Sequence, residues 1–166
     1  MLKYSDENFF LQRHIWAAGA WIFVVSFSGG MLTEIGPWYL NLKHPDWKPP
    51  DWAFGIIWTT IFVLAAFAWS IAWQRTQTVK QRLTLSILFI VNALCNMLWS
   101  VLYFKLHRPD WSLIEAFFLW GSVLAIILVT RSYSTLSGWF MMPYLIWVSC
   151  AIALNYETIR LNGPFD

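Results

Sequence analysis

Charge is scarce in this sequence. Only 12% of the 166 residues are Asp, Glu, Lys or Arg, about half the share found in an ordinary soluble domain. The few charges are also unevenly placed. Between Arg13 and Glu34 lie 20 uncharged residues, between Asp51 and Arg75 23, between Arg82 and Lys105 22, and between Arg131 and Glu157 25. A fifth run, 111–130, is broken only by Glu115. Such runs lack the polar face of a soluble helix, which argues against a water-soluble helical domain. The net charge of +2 comes from basic residues scattered singly, so there is no patch for nucleic acid.

Metal-binding spacings are missing as well. His14, His44 and His107 stand alone, with no H-x-x-x-H or C-x-x-C, and no metal site is expected. His44 reads as a solvated loop histidine; the rival reading has loop 1 fold over the bundle and bring it to a ligand. The two cysteines, Cys95 and Cys150, fall within apolar runs and read as buried, inert thiols. No nucleophile–base pair and no glycine-rich phosphate loop occur. The basic residues do not line up along a helix, which excludes voltage sensing. With no internal repeat, an inverted-repeat transporter is disfavoured. The leader MLKYSDENFFLQR carries Asp6 and Glu7, and the run after it is long enough to span, so it does not read as a cleaved signal peptide.

What the chain has instead is apolar length and tryptophan. Hydrophobic residues make up 58%, and there are 13 tryptophans. All five runs reach the roughly 20 residues needed to cross a bilayer. Backbone groups in lipid must be satisfied internally, so each run should be a helix. The expectation is one all-α integral membrane domain over 1–166, with helices at 14–36, 51–74, 82–104, 111–130 and 137–160. The membrane is that of a bacterial cell or of an organelle. Short connections after the first loop imply antiparallel neighbours in a bundle. Six basic residues (Lys3, Arg13, Arg75, Lys80, Arg82, Arg131) gather on the amino-terminal side and five (Lys43, Lys48, Lys105, Arg108, Arg160) on the other, only a slight lean toward an amino terminus inside. Ser26 and Gly30 have small-x-x-x-small spacing, weak support for a homodimer.

Trp16, Trp73 and Trp139 mark one membrane boundary, and Trp38, Trp47, Trp52 and Trp111 the other, as in an ordinary aromatic belt. Trp58, Trp69, Trp99, Trp120 and Trp147 sit deeper, where an indole N–H prefers a partner. On the third run, Asn92, Asn96, Trp99 and Tyr103 share one helical face. Two amides are costly toward lipid, so this face should look inward, either for helix–helix hydrogen bonds or as the polar patch of a cavity. Gly55, Trp58, Phe62, Ala65 and Trp69 form a stripe on the second run. Pro143, Trp147, Cys150, Ala151 and Leu154 form one on the fifth. Each stripe suits tight packing or a slot for a flat ligand. Glu115, the one acid within a span, is a functional candidate. It has Arg108, an indole or an amide as potential partners, and no second buried acid for a proton relay.

The stretch P-D-W-K-P-P-D-W-A-F-G-I-I-W at 45–58, preceded by W-Y at 38–39, resembles the signature of the TspO/MBR family, the tryptophan-rich sensory or translocator proteins. N-M-L-W-S-V-L-Y-F at 96–104, with R-P at 108–109, resembles the family's third helix and following turn. P-Y-L-I-W-V-S-C-A-I-A-L-N-Y-E-T-I-R-L-N at 143–162 resembles its fifth helix. The family often has tyrosine where Phe62 stands and methionine-glycine at Ala65 and Ala66. The missing hydroxyl removes one potential ligand hydrogen bond.

The resemblance implies a five-transmembrane-helix bundle, often a homodimer, that binds hydrophobic ligands between its helices under a lid-like first loop. Those ligands are tetrapyrroles such as protoporphyrin IX and haem and, in some members, cholesterol; no cofactor is obligatory. Carried over by motif, Trp58, Asn92, Asn96, Trp99, Glu115, Trp147 and Leu154 are implied pocket positions, and Trp38, Trp47 and Trp52 belong to the lid. Phe62 and Ala151 join the set from the two stripes. The implied function is sensory or regulatory tetrapyrrole binding. The alternatives are light-dependent porphyrin breakdown, with Trp58 and Trp147 as its catalytic pair, or translocation of porphyrins or sterols. Leu154, Tyr156 and Arg160 also fit a loose sterol-binding pattern, although a snorkelling arginine beside an interfacial tyrosine is the favoured explanation of the same residues. The three prolines of 45–50 should stiffen the lid, with Pro50 opening the second helix.

Overall fold

The computed structural model describes residues 16, 19–22, 24, 25, 27 and 29–165. Lys3, Arg13, His14 and Ser26 lie outside them. Among the described residues the architecture is all helical, without strands. The described residues between 16 and 32 form α1, which gives way to an irregular segment at 33–36, so that the helix ends before 36, the bound that the charge pattern suggested. A short helix α2, Pro37–Leu40, lies within the first loop, opened by its own proline. Then follow α3 (Asp51–Arg75), α4 (Val79–Ser100), a π-helical turn (Val101–Lys105), α5 (Pro109–Tyr133) and α6 (Thr135–Asn162). The segments Asp51–Arg75, Val79–Lys105, Pro109–Tyr133 and Thr135–Asn162 are each long and apolar enough to cross a membrane.

Local chemistry sets the helix ends beyond the apolar runs. Thr78 and Gln81 form a reciprocal capping box, so α4 begins three residues before Arg82. Pro109 occupies the first turn of α5, where its missing N–H costs nothing. Ser134 ends α5 and caps the start of α6, leaving a one-residue connection. So short a link makes α5 and α6 antiparallel neighbours, and among the described residues they form the most extensive helix–helix contact. Close approach there needs Gly138: a Cβ on it would lie 2.9 Å from Arg131 Cβ.

The core is a seam of aliphatic and aromatic side chains from α3, α4, α5 and α6, including Ala65, Phe89, Val123 and Tyr144. Helix α1 joins it through Val25 and Trp21; the Trp21 indole donates to the Phe89 carbonyl at 3.1 Å. Outward faces remain apolar, with Phe67, Ile90, Phe118 and Ile146 exposed, as lipid-facing surfaces should be. Several polar groups inside are paired across helices. Asn92 donates to Ser122 at 2.9 Å and accepts from Tyr144 at 3.2 Å, while Asn96 donates to Tyr144 at 3.4 Å. Ser137 of α6 donates to the Ala68 carbonyl of α3.

Candidate ligand-binding cavity

A cavity of about 440 Å³ opens between α1, α3, α4 and α6 beneath the first loop. Its depth is aromatic. Trp58 and Trp147 meet edge to face with centroids 6.4 Å apart and planes at 88°. Phe62 stacks on Trp58 at 5.3 Å, and Phe54 meets Trp147 edge-on at 5.6 Å. Trp58 is two turns into α3, and Trp147 is one turn past Pro143 in α6. Helical rise carries both rings from opposite ends of the membrane to the same level. Trp99, on α4, stacks on Tyr103 at 5.1 Å, and both line the wall.

One polar knot fixes Trp99. Its indole donates to Asn155 Oδ1 at 3.2 Å, Ser112 donates to the same oxygen at 2.8 Å, and Asn155 Nδ2 donates to the Pro109 carbonyl at 2.8 Å. Asn155 is 2% exposed and ties α4, α5 and α6 together at the cavity edge. Below it the chain leaves the π-helical turn through His107, whose φ of 54° is left-handed. Such backbone costs about 1–2 kcal/mol in a residue with a side chain. The His107 ring is stacked 4.2 Å from Trp38, so this conformation also presents a platform to the first loop.

That loop forms the roof, and its fastening is polar. Tyr39 is buried and donates to Asp51 Oδ1 at 3.0 Å, and Lys48 pairs with the same carboxylate. The Lys48 ammonium also lies 5.4 Å from the Tyr39 ring centre. Burial and the bond to Asp51 push the Tyr39 phenol well above its usual range. Asn162, at the end of α6, exchanges two 2.8 Å hydrogen bonds with the Lys43 backbone. Lys105 pairs with Glu34 at 2.7 Å and holds that carboxyl below its ordinary value. His44 is half-buried on the cavity wall, its ring 5.0 Å from Tyr39. Burial, aided by the charge of Lys48, lowers its pKa. The solvated-loop reading of His44 is therefore corrected: the loop folds inward and places it, half-buried, on the cavity wall.

Of the candidate positions, Trp52, Trp58, Phe62, Asn96, Trp99, Trp147, Ala151 and Leu154 meet on this one cavity. Four do not reach its wall. Asn92 is turned toward Ser122 and Tyr144. Glu115 is buried off the cavity wall, its carboxyl group beside the Cys95 thiol of α4. Arg108, one of its anticipated partners, is taken by Asp110, at 2.9 and 2.5 Å. Trp38 sits behind the wall against His107 and Tyr103, and Trp47 is 53% exposed. Tyr156 is exposed and Arg160 pairs with Glu157 three residues before it, so the sterol pattern brings only Leu154 to the cavity. Cys150 is exposed rather than buried. Tyr39, Lys48, Asp51 and Asn155 were missed. Asn155 continues the Trp147–Ala151 face by one further step of four, a signal present in the periodicity.

The match to known proteins covers most of the chain. The family model for TspO/MBR matches residues 17–161. The chain belongs to the TspO/MBR family. Among similar proteins, Protein CrtK of Rhodobacter capsulatus is 36% identical over 137 residues, 80% of this chain and 83% of that protein. The tryptophan-rich sensory protein of Cereibacter sphaeroides is 31% identical over 133 residues, 80% of this chain and 82% of that protein. The human translocator protein is 25% identical over 126 residues, 75% of each chain. With its apolar helices, this TspO/MBR member is an integral, multi-pass membrane protein.

Proposed function

We propose that this TspO/MBR protein binds a tetrapyrrole, protoporphyrin IX or haem, in the cavity beneath loop 1 and serves as a membrane sensory or regulatory protein. The observation that carries this reading is the aromatic wall built by Trp58 and Trp147 in a cavity of about 440 Å³. That volume falls within the range of small-molecule pockets, about 300–1,000 Å³. Indole faces and edges suit a flat macrocycle, and Asn96 supplies a polar edge. The names of relatives, a tryptophan-rich sensory protein and a translocator protein, are in keeping with a ligand-responsive membrane role.

The test is quenching of tryptophan fluorescence by protoporphyrin IX in detergent, with cholesterol as competitor. Saturable quenching is expected, weakened about three- to tenfold in Trp147→Leu, the range set by loss of one aromatic pairing. If neither ligand bound the folded protein, the reading would fail. The proximity of Trp58 and Trp147 favours a second activity, light-dependent porphyrin breakdown. Excited porphyrin beside an electron-rich indole would carry the chemistry, the protein supplying proximity. Illumination of the stoichiometric complex should then give a product absent from free porphyrin and reduced in Trp147→Phe.

A further inference from the structure

The cavity roof carries one group that neither the wall packing nor the loop fastening uses. His44 lines the cavity, and its Nδ1 is buried without a hydrogen-bond partner. A hydrogen bond to the Tyr39 backbone helps to hold the ring, the kind of second partner that orients a ligating histidine. The ring does not swing freely, because it packs against Tyr39, itself held by Asp51. Burial and Lys48 favour the neutral imidazole, which is the form that ligates a metal. Among the described residues no three His, Cys, Asp or Glu cluster to hold a bare ion. An iron porphyrin needs no such cluster, since the macrocycle brings four nitrogens and the protein has only to add an axial one.

We infer that His44 is an axial nitrogen donor for the iron of a haem held beneath loop 1, so that the site selects iron porphyrin over the metal-free macrocycle. This rests on the tetrapyrrole reading above and adds to it a specificity residue. An unpartnered nitrogen on the cavity wall is the feature that fits the group. Haem, when bound, supplies the open coordination position; the chain supplies the imidazole, its orientation by Tyr39, and its exclusion from bulk water by the roof.

The experiment titrates the detergent-solubilised full chain with haem and, separately, with protoporphyrin IX. Tryptophan quenching reports affinity, and the haem Soret band reports ligation. The wild-type protein should shift the Soret band and bind haem at least tenfold more tightly than protoporphyrin IX. In His44→Ala the Soret shift should disappear and the haem preference fall to within about twofold. Added imidazole should restore the shift. An unchanged Soret band and preference in His44→Ala would overturn the assignment. So would equal weakening of both ligands, which would make His44 a roof residue only. Wild-type protein that binds neither ligand would instead bring down the tetrapyrrole reading itself.

Discussion

Removing Asn155 should loosen the bundle at the place where Trp99 is held. Asn155 accepts from Trp99 and Ser112 and donates to the Pro109 carbonyl, at 2.8 to 3.2 Å. In Asn155→Ala these three bonds vanish, but not all three groups are orphaned. Ser112 already lies 2.9 Å from the Pro109 carbonyl, so that hydroxyl and carbonyl can satisfy each other. The Trp99 N–H has no such alternative. A buried donor left unsatisfied costs about 1–3 kcal/mol, whereas interhelical hydrogen bonds in membranes average about 0.6 kcal/mol. The expected loss is therefore about 2 kcal/mol, close to a thirtyfold change in the unfolding constant. Reversible unfolding by SDS in mixed micelles, followed by circular dichroism, measures it. The partner variant Trp99→Phe closes a double-mutant cycle, with an expected coupling of about 0.6–1.7 kcal/mol. A loss below about 0.5 kcal/mol for Asn155→Ala, the scatter of ordinary surface substitutions, would refute the reasoning.

Other outcomes follow from the same geometry. Gly138→Ala forces its new Cβ to 2.9 Å from Arg131 Cβ and should cost about 1–3 kcal/mol in the same unfolding assay, as overpacking does. Gly121→Ala meets nothing within 4 Å and should stabilise α5 by about 0.5–1 kcal/mol through helix propensity. Because burial lowers the His44 pKa, the open loop binds a proton before the closed one does. Closure should be strongest at neutral pH and above, and should weaken as pH falls through about 6.5, by at most about tenfold per pH unit. Hydrogen exchange of the loop amides at pH 7.5 and 5.5 reads this, and His44→Gln should flatten the difference. Asn162→Ala, which removes both bonds to the Lys43 backbone, should raise exchange across 41–45 while leaving α3 and α5 protected.

The membrane architecture was legible in the chain because it depends on composition summed over length. Three of the uncharged runs, and the run broken by Glu115, became helices long and apolar enough to span, since a helix satisfies its own backbone in lipid. Helix ends were less legible. The capping box at Thr78 and the serine shared by α5 and α6 act through a few local hydrogen bonds that apolar patterning does not register. Trp58 and Trp147 were identifiable as a facing pair because depth follows from residue count at a fixed rise.

Asn92 and Asn96 illustrate the boundary. They are four residues apart on one face, and periodicity cannot separate them. Yet one is absorbed by Ser122 and Tyr144 while the other reaches the cavity, because a small rotation of α4 decides which neighbour each amide meets. Glu115 was visible as an acid in a span, but its neighbours come from other helices, and the pairing offered by nearby Arg108 went to Asp110 instead. The roof is the clearest case. The prolines of loop 1 limit its backbone locally, but what the loop covers depends on Tyr39 finding Asp51 and Lys43 finding Asn162, which is 119 residues away. Apolar length and spacing are properties of the chain alone and settle helices and their depth; which polar group faces which is settled only when the helices pack, because hydrogen bonds require contact at about 3 Å and contact is not written in order along the chain.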